Sequence, residues 1–290
     1  MLSKVGTVLM AGAIALGIVG CAPTAQNTAQ SLAQEQRAAE GFVADLQSKG
    51  QLIEDPGLNR YVRGVVARIS DQRPPGSVPL QAYIIKDASV NAFTPGGGYV
   101  FFHAGLIAAM ENEAQFATVT AHEIAHIDRG HIQAGRATRQ GVQMGAAAAA
   151  IGGALLGINP SATEALVGLG ANYAVNSFTR TQETDADNTG IRYLAASGYN
   201  AVEGARSFEV LRRLYGDQRG AAAAFFSSHP ASSERQASLT AQARQLGATR
   251  GRIGNQSYDR ATRKLRNDIL KFYDSKGMSN EAAQVRRALR

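Results

Sequence analysis

The chain has 290 residues, with 30 Lys+Arg against 23 Asp+Glu, five His, one Cys and no Trp. A hydrophobic fraction of 44% excludes a disordered polyelectrolyte, and a single cysteine excludes an internal disulfide framework and any Cys-rich zinc module. The formal charge of +7 is unevenly placed: residues 244–290 hold 12 Lys+Arg against 4 Asp+Glu, a balance of +8, whereas residues 21–243 carry −2. Basicity therefore belongs to the C-terminal end and is no argument for nucleic acid as a partner.

Residues 1–20 read as a secretory signal: Lys4, then an uncharged run over 5–19 that falls short of the about 20 apolar residues a membrane span needs. Ile18-Val19-Gly20-Cys21 resembles the lipobox of bacterial lipoproteins, in which the cut precedes the cysteine and the cysteine is lipidated. Ala22 is not Asp, so the inner-membrane retention signal of such lipoproteins is absent. The expectation is a chain anchored through Cys21 to the outer membrane on its periplasmic side. Residues 21–31, small and polar, suit a flexible tether, followed by a catalytic domain over 32–243 and a basic helical tail over 244–290.

Residues 80–86 and 91–102 are β-rich and punctuated by Gly-rich turns. Next comes Ala121-His122-Glu123-Ile124-Ala125-His126, in a stretch with Asn112 as N-cap and no Pro before 160, so it reads as a helix. At about 100° per residue, His122 and His126 lie one turn apart on one face, able to share a metal ion, with Glu123 beside them to act on water. A catalytic zinc normally takes three protein ligands. His131 lies about 140° further round the helix and is expected to point away. His103, after a strand, reads as structural. Glu183 and Asp187, four residues apart, supply a better partner: one binds the metal while the other accepts a hydrogen bond from a ligand imidazole. Residues 141–157 and 166–175 are Gly/Ala-rich and read as packed helices near the site, forming a mobile lid, rather than a membrane-dipping hairpin. In the tail, Tyr258, Ala261, Leu265, Ile269 and Phe272 form a helical stripe, Gly277 ends that helix, and Ser279 caps a second one containing Val285 and Leu289.

His-Glu-Ile-Ala-His at 122–126 with Glu-Thr-Asp-Ala-Asp at 183–187 resembles the HtpX and CAAX-prenyl-protease group of zinc metallopeptidases, the minigluzincins. Asp55-Pro56 with Leu58-Asn59-Arg60-Tyr61-Val62, Asn91-Ala92-Phe93 with Pro95-Gly96-Gly97-Gly98-Tyr99-Val100, and Ser228-His229-Pro230 with Arg235 match other segments of the group in order. Together they cover about residues 30 to 240, and with the lipobox they point to a periplasmic lipoprotein subgroup. The group often has Glu where Asp185 stands, and here three glycines rather than two follow Pro95.

The resemblance implies an α+β, mainly helical, zincin-like fold with a small antiparallel sheet whose edge strand lines the active site. It implies one Zn2+ per chain held by His122, His126 and Glu183, with Asp187 behind them and Glu123 as general base. His229 and Arg235 are then donors to the oxyanion, or His229 closes the fourth metal position. Asn91, Ala92 and Phe93 would take substrate as an added strand, a mode that tolerates many side chains. The function expected is hydrolysis of unfolded or misassembled envelope proteins. The alternatives are an outer-membrane assembly chaperone with little proteolysis, or a zinc hydrolase for a non-peptide substrate such as peptidoglycan. The tail would face solvent, or meet an envelope protein or anionic lipid.

Overall fold

Alternation along one strand organises the structure. In the computed structural model, which describes residues 25–135, 178–215, 222–229 and 233–290, every residue of β3 (Tyr99–His103) is buried. Tyr99 and Phe101 pack with Ala39, Val43 and Leu46 of α1 (Ala25–Ser48), while Val100 and Phe102 pack with α2 (Pro56–Ser70) and α4 (Glu113–Asp128). A period of two thus sends successive side chains to opposite faces, each covered by helix. Burying one such aromatic side chain stabilises the fold by about 1.5–3 kcal/mol.

β3 is central, between β1 (Gln81–Ile85) and β2 (Ala92–Gly96). β2 is antiparallel to it, with Ala92 opposite Phe102 and Phe93 opposite Phe101, but β1 is parallel, with Gln81 opposite Tyr99. The expected fold class holds, with the sheet mixed rather than antiparallel. Gly96, Gly97 and Gly98, all at positive φ, turn β2 directly back into β3 and so fix that pair as antiparallel, while β3 rather than β2 lies beside β1. β2 is left as an edge strand.

α3 (Ala104–Ala109) leads into α4, where residues 113–127 are buried on all sides. Such a helix belongs in the centre of a domain, and its apolar pattern is uniform rather than amphipathic. Asn112 caps it as expected, its Oδ1 accepting from Gln115 N at 3.0 Å. Around α4 are α5 (Arg180–Ala196), α6 (Ala201–Ala205), α7 (Ser207–Tyr215), α8 (Ala223–Ser228) and α9 (Ser233–Gln245).

The basic C-terminal stretch forms α10 (Asn255–Ser275) and α11 (Ser279–Ala288), which pack on α3. The buried stripe of α10 is Tyr258, Thr262, Arg266, Ile269 and Tyr273, so the expected stripe is rotated, and Phe272 is 42% exposed. Arg266 causes the rotation: fully buried, it donates to Met110 O at 2.6 Å and Ala288 O at 2.8 Å, satisfying carbonyls at the ends of two helices. Gly277 ends α10 at φ +67, with Met278 N donating to Tyr273 O. Ser279 is not the cap of α11, since Met278 holds that position and no side chain caps it.

Residues 25–31, expected in the tether, are helical, as an Ala- and Gln-rich run favours. The signal segment, Cys21 and residues 141–175 lie outside the described residues. Among the described residues, no helix is long and apolar enough to cross a membrane.

Candidate metal centre

The site forms where α4 meets α5. α5 starts with a capping box in which Thr179 Oγ1 accepts from Gln182 N, and it places Glu183, Asp187 and Gly190 on one face. Gly190 is the contact: a Cβ there would stand 3.1 Å from Ala121 C, Ala121 O and His122 N. Its bare backbone lets the two helices close until both carboxylates reach the histidine pair.

His122 and His126 then converge with Glu183 and His229. One ligand atom from each of the four lies within 4.8 Å of the others, and all four residues are buried. His126 Nε2 is 3.0 Å from His122 Nε2 and 3.3 Å from Glu183 Oε1. His229 Nδ1, at the end of α8, lies 2.9 Å from Glu183 Oε1 and 3.2 Å from His122 Nε2. Phe178 stacks on His126 at 3.7 Å between ring centroids, and Phe225 on His229 at 4.6 Å.

Three imidazole nitrogens and a carboxylate oxygen converging in a buried space form a donor set that a divalent cation fits. The far ring nitrogens of His122 and His126 face other side chains. His122 Nδ1 is 2.9 Å from Asp187 Oδ1 and His126 Nδ1 is 2.9 Å from His131 Nδ1, which leaves both Nε2 atoms facing inward. Glu123 has no exposed surface, and neither of its carboxylate oxygens has a hydrogen-bond partner among the described residues. Its nearest basic neighbour is His229 Nε2 at 3.4 Å. A buried carboxylate with no hydrogen-bond partner among the described residues is costly to keep charged, and such groups are candidates for chemistry.

Electrostatics sort these groups. Burial pushes the Glu123 carboxyl up, with His229 and His122 opposing. Glu183 feels burial in the same direction, but His229 and His122 outweigh it and hold the carboxyl far below its ordinary range. Burial likewise opposes the charge on Asp187 and is overcome by Arg235 and His122. Burial keeps His126 neutral, assisted by charge on its histidine neighbours. For His122, burial disfavours the imidazolium, yet Glu183 and Asp187 outweigh it and raise the ring's pKa to about 9.

Arg235 holds the carboxylates from behind. Its Nε and Nη2 donate to Asp187 at 2.7 and 2.8 Å, and its Nη1 lies 2.6 Å from Glu183 Oε2. The guanidinium also lies 4.7 Å over the Phe208 ring. Asn91, Ala92 and Phe93 lie on and beside β2, which packs against α4, and Asn91 O accepts from His103 N at 2.9 Å. Among the described residues, β2 pairs with β3 alone.

His131 is a correction. It does not point away, because α4 ends at Asp128 and Gly130, at φ +68, turns the chain back so that His131 meets His126 and Asp185. A glycine just past a helix end was the signal for this turn.

Residues 54–243 match Peptidase family M48. The beta-barrel assembly-enhancing protease of Escherichia coli is 31% identical over 181 residues, which is 61% of this chain and 37% of that protein. Its putative counterpart in Vibrio cholerae is 30% identical over 183 residues, 61% of this chain and 38% of that protein. Metalloprotease LoiP of Escherichia coli is 28% identical over 249 residues, covering 80% of this chain and 94% of that protein. The match thus spans about 37% of the length of the assembly-enhancing protease from Escherichia coli.

Proposed function

This chain belongs to peptidase family M48, and from that premise we propose that it is a zinc-dependent endopeptidase acting on unfolded or misassembled envelope proteins at the periplasmic face of the outer membrane. The observation that carries the reading is the buried Glu123 carboxylate, which has no hydrogen-bond partner among the described residues, beside four converging donor groups. His122, His126 and Glu183 would hold one Zn2+. When bound, the ion would supply Lewis-acid polarisation of a peptide carbonyl and lower the pKa of a water molecule.

The chain's own groups do the rest. Glu123 accepts the proton of the attacking water at a carboxylate oxygen and delivers it to the leaving amine, a task favoured by the raised proton affinity that burial gives it. Asp187 fixes His122 through Nδ1, and Arg235 fixes Glu183 and Asp187 together, which makes Arg235 a positioning residue rather than an oxyanion donor. His229 stands within the donor cluster, so we take it as a fourth donor that closes the site at rest. Were His229 to withdraw when substrate enters, its Nε2–H would be available to the oxyanion. Substrate would add to the edge of β2 at Asn91, Ala92 and Phe93 through main-chain hydrogen bonds.

Cys21 would supply the lipid anchor. Outer-membrane proteins are the substrate class favoured by the names of the assembly-enhancing relatives. The basic surface of α10 and α11 would face an envelope protein or anionic lipid. Those same names support a second reading, an assembly chaperone with little proteolysis.

The test is turnover of casein and of peptidoglycan fragments by the purified chain, with chelator and with zinc added back. Casein cleavage abolished by chelator and restored by zinc is the expected result. Chelator-insensitive cleavage, or turnover of cell-wall fragments alone, would refute the proposal. Full physiological function of a Glu123→Gln variant in cells would favour the chaperone.

A further inference from the structure

We propose that His131 and Asp185 are positioning residues for the metal centre, a relay that fixes the proton of His126 on Nδ1 and so frees Nε2 for the ion. The inference rests on the metallopeptidase reading above.

Proton counting gives the relay its direction. A ligating imidazole is neutral and carries one proton, on the nitrogen that does not face the ion, and His126 is buried with no access to water. Its Nε2 faces the donor cluster, 3.0 Å from His122 Nε2. A ligating nitrogen has no proton, so the His126 proton sits on Nδ1, where His131 Nδ1 lies 2.9 Å away as acceptor. An accepting Nδ1 puts the His131 proton on Nε2, and 3.2 Å from that atom is Asp185 Oδ2. The carboxylate accepts only, and the same oxygen takes a second hydrogen bond from Arg129 Nε at 2.6 Å. Reversing the chain would place the His126 proton on Nε2, where it would block ligation.

The arrangement accounts for an acid that the metal set leaves unused. Asp187 shares the inward face of α5 with Glu183 and reaches His122 directly. Asp185, two residues from Glu183, points about 200° away from that face, and its side chain is 34% exposed. It can act on His126 only through an intermediate, which His131 provides. Each histidine of the His-Glu-x-x-His pair thus ends on one aspartate of the Asp-Ala-Asp sequence, one in a single step and the other in two.

The experiment measures zinc affinity of the full chain by competition with a chromogenic chelator, together with the electronic spectrum of the cobalt-substituted protein. His131→Phe keeps a ring of similar size and removes the acceptor. It is expected to weaken zinc binding about 10- to 100-fold and to shift the cobalt bands, with metal-free thermal unfolding close to wild type. His131→Gln, which restores an acceptor oxygen, recovers part of the affinity, whereas Asp185→Asn loses some. The double variant His131→Phe/Asp185→Asn binds no more weakly than His131→Phe, because the path is already cut. A folded His131→Phe protein with wild-type affinity and spectrum overturns the relay. Should His131→Phe not fold, wild-type affinity in Asp185→Asn overturns it instead. If the wild-type chain takes up no zinc, the metal-centre reading fails and the relay fails with it.

Discussion

Replacing Arg235 by Met keeps the length and apolar stem of the side chain while removing a guanidinium with two hydrogen bonds to Asp187 and a 2.6 Å ion pair with Glu183. The arginine is only 8% exposed, Asp187 7% and Glu183 2%, so water cannot replace what is lost. Removing one partner of a buried charge cluster costs about 3–5 kcal/mol. His122 still compensates Asp187 at 2.9 Å, which puts the metal-free chain near the lower end, about 3 kcal/mol. A bound divalent ion neutralises Glu183 from the other side, so the loss is smaller in the loaded protein. The variant is therefore expected to gain more stability from zinc than the wild type does. Urea unfolding of both proteins, with and without zinc, measures the four free energies. A loss under about 1 kcal/mol in the metal-free variant, or an equal zinc increment in the two proteins, would refute the view that Arg235 balances the ligand carboxylates.

Gly190→Ala adds a methyl 3.1 Å from the α4 backbone at Ala121 and His122. Overpacking of about 1–3 kcal/mol opposes a helix-propensity gain of about 1 kcal/mol, so a lowered melting temperature is expected, and a raised one would show that α5 moves aside freely. Glu113 is buried under Arg252, Tyr61 and Tyr199. Burial raises its carboxyl, but those partners outweigh it and hold it below the ordinary glutamate value of 4.5. Its contribution to stability is present above about 4.5 and is lost as pH falls through the lower folded value. Glu113→Gln should flatten the acid limb of a pH–stability curve, and an unchanged limb would contradict the assignment.

What the sequence made legible follows from how far each signal is local. The His122/His126 spacing, the Asn112 cap and the Glu183/Asp187 pair are set within one helix each, and the structure shows each pair on one helix face and the cap in place. A local rule holds only within its element. The rotation of His131 by about 140° from His126 applies only while the helix continues, and α4 stops at Asp128. The buried stripe of α10 is not set by apolar residues alone: its centre is Arg266, which donates to two backbone carbonyls. The pairing of β1 with β3 depends on which strand reaches β3 from the far side, and no alternation pattern encodes that.

In the proposed function, Glu123 does chemistry at a zinc held by His122, His126 and Glu183. Zinc content and casein turnover of Glu123→Gln, measured beside wild type on matched preparations, test it most directly. One zinc per chain in both proteins, with turnover lower by about 10²–10⁴-fold in the variant, is the predicted result. Wild-type turnover in a zinc-loaded Glu123→Gln protein would contradict it.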